Sequence, residues 1–154
     1  MTWTRTSTRT LPVDTAALWD VLADIESWPR WDPDLARVVL RGPLTTGSRG
    51  FFHPTGRIRG RGHSLLADDF TVTACTPGSE IAVRQPIPLG HMDLGFTLAA
   101  DGDGNTEFTQ HITLHGPLRT VMVWIIAGDV VRNFDRKCSA LTGLATAKAG
   151  HHPQ

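Results

Sequence analysis

Thr2 to Leu11 alternates without a break, with Thr2, Thr4, Thr6, Thr8 and Thr10 on one face and Trp3, Arg5, Ser7, Arg9 and Leu11 on the other. A period of two rich in β-branched residues predicts a strand. The period then changes. Asp14 is a good N-cap, and Leu18, Val21, Leu22 and Ile25 follow at helical spacing with Trp19 alongside. Asp24 is placed to cap a second short helix that ends before Pro29, because Pro29 and Pro33 break a helix around Trp28 and Trp31. Leu35 to Leu40 reads as a short apolar strand closed by Gly42-Pro43 and Thr45-Thr46-Gly47. Strand-like pieces follow near 49–54, 63–75, 80–85, 91–99 and 106–115, separated by G-R-I-R-G-R-G, T-P-G-S, P-I-P-L-G and D-G-D-G-N, all of them turn chemistry. The spacing predicts an antiparallel sheet.

A last change of period comes after Gly116-Pro117. Leu118 to Ala149 lacks proline and predicts one long C-terminal helix, whose first half, V-M-V-W-I-I-A-G-D-V-V, is apolar almost all round and is expected to be embedded. The order of strand, two small helices, six strands and long helix makes an α+β domain of two layers. One domain over residues 1–149 is expected, with a frayed tail at 150–154.

If the long helix covers one face of the sheet, the apolar set of each strand points at it. That set is Ile81, Val83 and Gln85, then Met92, Leu94, Phe96 and Leu98, then Phe108, Gln110, Ile112 and Leu114. Trp28 and Trp31, held on a proline-bounded corner, suit either the wall of an apolar pocket or the plug of a core. Two polar intruders favour the pocket wall. Gln110 interrupts an apolar strand face and needs a partner or a ligand. Asp129 sits inside I-I-A-G-D-V-V, where it is either an ion-pair partner of Arg132 at the solvent edge or a reactive carboxylate raised by burial. His53 and Arg84 are further candidates, although strand parity turns both outward unless a bulge intervenes. His91 and His111 carry the same objection.

Composition narrows the chemistry. The formal net charge is zero, so no global field recruits nucleic acid. There is no apolar run of about eighteen residues and no charged-then-apolar leader, so a cytoplasmic protein that engages no membrane is expected. Cys75 and Cys138 fit no metal or redox spacing and read as small buried hydrophobes. Neither C-x-x-C nor a run of carboxylates is present, and His91 and His111 form no convincing ligand set, so no metal and no cofactor is predicted. Thirteen arginines stand against two lysines, and tyrosine is absent. Arg37, Arg41, Arg49, Arg57, Arg59 and Arg61 fall in a stretch without acidic residues, which is either a face for an acidic partner or the solvated faces and turn of a hairpin.

The element order, together with L-W-D-V-L-A-D-I-E-S-W-P-R-W-D-P-D-L at 18–35, G-P-L-T-T-G-S-R at 42–49, V-T-A-C-T-P-G-S-E-I-A-V-R at 72–84 and H-G-P-L at 115–118, resembles the START/Bet v 1-like (SRPBCC) superfamily, in particular its polyketide cyclase/dehydrase branch. The resemblance covers about residues 5 to 148. It implies a helix-grip fold: a seven-stranded curved antiparallel sheet around the long helix, with a deep pocket between them and Trp28 and Trp31 at its mouth. It also implies a hydrophobic ligand, poly-β-keto or aromatic, lined by Trp28, Trp31, Phe52, Val83, Met92, Leu94, Phe96, Phe108, Ile112, Met122 and Ile125. For a cyclase or dehydratase acting on such a ligand, Asp129 is the candidate acid or base, Gln110 orients a carbonyl, and His53 is a third catalytic candidate. The Arg-rich strip would then receive an acidic acyl carrier protein. Two other readings stand beside this one, a non-catalytic carrier or sensor of a hydrophobic small molecule and a protein-interaction module. The chain is expected to work as a monomer or homodimer.

Overall fold

The structure, a computed structural model, describes residues 2–54, 69–124 and 131–150. Seven strands form one antiparallel sheet: β1 (Thr2–Leu11), β2 (Leu35–Arg41), β3 (Arg49–Pro54), β4 (Asp69–Thr76), β5 (Glu80–Ile87), β6 (Gly90–Ala100) and β7 (Thr106–His115). Their spatial order is β1-β7-β6-β5-β4-β3-β2, so the first two strands in sequence sit at opposite edges. The chain between them makes α1 (Thr15–Ala23) and a 3-10 helix (Ile25–Arg30). After β7 come α2 (Arg119–Met122) and α3 (Phe134–Gly150), and α3 packs against α1 and β1. This is the two-layer α+β domain that the order of periods predicted, in the helix-grip arrangement that the resemblance implied.

Local signals act largely as expected. The Asp14 carboxylate accepts from the amides of Ala16 and Ala17 at 3.1 and 3.3 Å, a cap that stabilises α1 by about 1 kcal/mol. The β6–β7 connection is an Asx turn in which Asp101 Oδ1 accepts from the amides of Asp103 and Asn105. Thr106, fully buried, anchors the start of β7 by donating to the Val13 carbonyl at 2.8 Å. The inner faces of β5, β6 and β7 are the ones read from the alternation, because the side-chain period of a strand leaves only one parity that buries them.

Three expectations are corrected. The second helix does not stop before Pro29. It is a 3-10 helix with Trp28 and Pro29 inside it and Trp31 as its C-cap, and Asp24 caps it through its carbonyl, which accepts from the Ser27 amide at 2.9 Å. A 3-10 helix this short tolerates a proline because few of its amides have a bond to lose. The C-terminal helix is not continuous either, since a turn at Asn133 precedes α3. Of its apolar first half, 125–130 lie outside the described residues, and the part before them is not embedded all round: Leu118, Val121 and Trp124 are exposed, Trp124 to 86 %, and only Met122 of α2 is buried. A short helical stretch buries one stripe, Met122 with Val123 packed against the same cluster, and leaves Leu118, Val121 and Trp124 facing out.

Candidate functional site

The core is built on aromatic rings. Phe70 stacks on Phe52 (ring centroids 4.3 Å apart), Phe52 on Trp28 (6.2 Å), and Phe96 stands edge-on to both Trp28 and Trp31 (5.5 and 5.6 Å). The series continues from Phe96 through Phe108 to Phe134 of α3. Trp28 and Trp31 are thus fully interior, and the Trp28 indole donates to the Leu22 carbonyl at 2.9 Å. Val83 lies in the same core, with Leu94 packed against it. Met92, Ile112 and Met122 form a smaller cluster with Ile87 and Leu114 beside α2.

Set into this apolar interior is a charged cluster centred on Lys137. Lys137 of α3 is 1 % exposed, and its Nζ lies 3.4 Å from Asp32 Oδ2, 3.8 Å from Asp34 Oδ2 and 3.4 Å from Gln110 Oε1, to which it donates. Asp32 is 3 % exposed and Gln110 1 %. The two carboxylates come from the loop that follows the Trp28–Trp31 corner. Asp32 Oδ1 accepts from the Asp34 amide at 2.9 Å, and Asp34 Oδ1 accepts from Asn133 Nδ2 at 2.9 Å. The corner, β7 and α3 therefore converge on one point. Next to them the Trp31 Nε1 is buried without a hydrogen-bond partner among the described residues. A buried indole N–H usually finds one.

The partner that Gln110 required is thus Lys137, which the sequence reading did not single out. Its signal was present: Phe134, Cys138, Leu141 and Ala145 form the buried stripe of α3, and Lys137 falls within it. One of only two lysines in the chain, on an apolar helical stripe, needs a buried counter-charge. Asp129 and Ile125 lie outside the described residues, as do Arg57, Arg59 and Arg61. His53 does not join Gln110. It lies on the outer face of β3 with Phe51, opposite Arg37 and away from the buried Phe52. Arg37, Arg41 and Arg49 share that outer face. Arg41 sits opposite Arg49 with its guanidinium 5.5 Å above the Phe51 ring, and the two line a cleft of about 210 Å³ with Asp69, Phe70 and Thr71.

The thiol of Cys138, beside Lys137 on α3, is pushed up to about 11 by burial, with the neighbouring charges of Arg9, Asp135 and Lys137 acting second. Both cysteines are free. Chemically, the Lys137 cluster offers two carboxylates, an ammonium and an amide inside an aromatic-rich core.

Comparison with known proteins shows the family and the fold. A family model described as polyketide cyclase / dehydrase and lipid transport matches residues 2–143. The chain belongs to this family. Among solved structures, this cyclase/dehydrase-family protein is similar to the Zhui aromatase/cyclase of a Streptomyces species, with a TM-score of 0.74, 16% identity, and 97% of this chain and 96% of that chain covered. It is similar also to Ara h 8.0201, with a TM-score of 0.67, 16% identity, and 96% and 99% covered. The di-domain ARO/CYC StfQ from the steffimycin biosynthetic pathway matches at a TM-score of 0.67 and 13% identity, over 97% of this chain and 52% of that one. Curated protein sequences give no match. At such identities the structural likeness shows the fold, and it does not carry over an activity. No helix among the described residues is long and apolar enough to cross a membrane.

Proposed function

We propose that this cyclase/dehydrase-family protein holds a poly-β-keto or aromatic small molecule between the inner face of the sheet and the C-terminal helix, and promotes its cyclisation or dehydration. The observation that carries the reading is the Lys137 ammonium, fully buried on the same stripe of α3 as Phe134 and 3.4 Å from both Asp32 and Gln110. A carboxylate in such a place accepts a proton from the carbon between two carbonyls. The Lys137 N–H and the Gln110 amide then stabilise the enolate oxygen. The enolate carbon bonds to a second carbonyl carbon of the same chain, and the resulting alkoxide takes a proton from Lys137. Neutral Lys137 then removes the remaining α-proton while the hydroxyl leaves as water with the proton held by Asp32, which gives the dehydrated ring and restores both charges. Trp28, Trp31, Phe52, Phe96 and Phe108 supply the wall that folds the chain and keeps out bulk water. Asp129 stays in the proposal as a second acid or base. An acidic carrier protein that delivers the tethered chain would meet Arg37, Arg41 and Arg49.

A non-catalytic carrier is the alternative, and one feature favours it: Asp32 and Asp34 already match the Lys137 charge without any ligand. The deciding experiment is turnover of a poly-β-keto thioester by the wild type and by Asp32→Asn, which preserves the shape of the side chain and leaves Asp34 opposite Lys137. Asp32→Asn should lower kcat by about a hundredfold or more, with ligand binding, followed by tryptophan fluorescence, retained. Turnover by Asp32→Asn at the wild-type rate sinks the assignment of the base. Binding by the wild type without any turnover establishes the carrier.

A further inference from the structure

On the outer face of the sheet, away from the Lys137 cluster, the antiparallel register sets three metal-ligand side chains together. His91 of β6 is paired directly with His115 of β7, and Asp93 is the next residue of β6 on the same face. His91 Nε2 lies 3.7 Å and His115 Nε2 3.4 Å from the same oxygen, Asp93 Oδ2. All three donor atoms lie within 4.8 Å of one another, and the two imidazole centroids are 4.2 Å apart. Bonds of about 2.0–2.1 Å in a tetrahedral site place neighbouring donors about 3.4 Å apart. The two histidine-to-carboxylate separations are already close to that edge. His91 Nε2 is buried and makes no hydrogen bond among the described residues, so an atom able to bind a metal stands unused.

From these separations and that unused nitrogen, we propose that His91, Asp93 and His115 form a binding site for a divalent late transition-metal ion such as Zn²⁺. Two imidazole nitrogens and one carboxylate oxygen suit such an ion and not Ca²⁺ or Mg²⁺, which take oxygen donors. Arg84 of β5 supplies the outer support: its Nε donates to Asp93 Oδ1 at 2.7 Å and its Nη2 to Oδ2 at 3.0 Å. That fork fixes the carboxylate plane and leaves the second lone pair of Oδ2 directed at the imidazoles. Burial alone would raise the Asp93 carboxyl, but the Arg84 hydrogen bonds and charge, with those of His91 and His115, outweigh it and hold it below the usual carboxylate range. The backbone is built for the same approach. A Cβ on Gly90 would collide with the His115 carbonyl oxygen, and Gly116, at φ +123°, passes so close to Leu89 that a side chain there would also clash. The three side chains are about one-third exposed, so the ion has a path in and a fourth position open to water.

The test is calorimetric titration of tag-free protein with ZnCl₂. Saturable one-to-one binding is expected, weakened about tenfold or more in His91→Ala and in His115→Ala, and unchanged in His111→Ala, whose imidazole bonds Thr6 instead. In the wild type, Zn²⁺ should shift the Nε2 resonances of His91 and His115, a readout that needs no variant to fold. The proposal is overturned by an absence of saturable binding, by both alanine variants binding like the wild type (metal held elsewhere in the chain), or by Nε2 resonances that do not move.

Discussion

Replacing Lys137 by Met removes one charge from the interior and keeps the length of the side chain. The ammonium faces Asp32 at 3.4 Å and Asp34 at 3.8 Å with almost no solvent around it. At an effective dielectric of about 20, a single pair at that distance is attractive by about 5 kcal/mol. Desolvation of both partners offsets much of this in the intact protein, so the pair as a whole adds little net stability. Removing one partner is different, because the carboxylates stay buried and lose the charge that compensated them. A loss of about 3–5 kcal/mol follows, a large part of the about 5–15 kcal/mol that a domain has. Urea unfolding at neutral pH, followed by circular dichroism, should show a midpoint lower by about 1–3 M at an unchanged slope. Adding Asp32→Asn and Asp34→Asn to Lys137→Met should restore about 2 kcal/mol or more, since no charge is then left unmatched. A single variant within about 0.5 kcal/mol of wild type, or a triple variant less stable than the single one, would refute the buried pair.

Other expectations concern separate parts of the chain. Cys138 is buried with its thiol held near 11, so iodoacetamide at pH 8 should modify Cys75, which is half-buried, and reach Cys138 only after unfolding; equal labelling of both in native protein would show that α3 opens readily. Leu89, at φ +61° in the Pro88-Leu89 turn and 77 % exposed, occupies a conformation suited to glycine, so Leu89→Gly should raise stability by about 0.5–1 kcal/mol, measured by thermal unfolding. The Asp101 carboxyl is held low, chiefly by the Asp103 amide; a ¹³C titration should give it a midpoint below the ordinary aspartate value of about 3.9. A carboxyl whose folded pKa is depressed adds stability that is present above the unfolded value and lost as pH falls through the folded one. Asp101→Asn should therefore lower stability at neutral pH and flatten the acid limb of a stability–pH curve, the difference from wild type closing as pH falls through the folded value.

The fold was legible because it rests on periods. Strict alternation in β1 and the apolar parities of β5, β6 and β7 each allow one burial, and Gly, Pro, Asn and Asp mark the turns between them. Half of the candidate site was legible for the same reason, since Gln110 stood out against an apolar face and demanded a partner. The identity of that partner was not, because Lys137 meets Gln110, Asp32 and Asp34 only when α3 is laid across the sheet. The 3-10 helix through Pro29 and the exposed Trp124 were misread because local composition says what a segment prefers and not how much surface its neighbours have left to cover it.

Sequence alone thus determined the strands, the faces that β5, β6 and β7 bury and the family that the chain resembles. These follow from interactions between residues a few positions apart, which a linear pattern records. Tertiary structure alone decided which charges meet. The carboxylates that face Lys137 come from the far end of the chain, and His91 and His115 face one another only because β6 and β7 pair in one register. Chain distance carries no information about either encounter, and the packing of the layers supplies it.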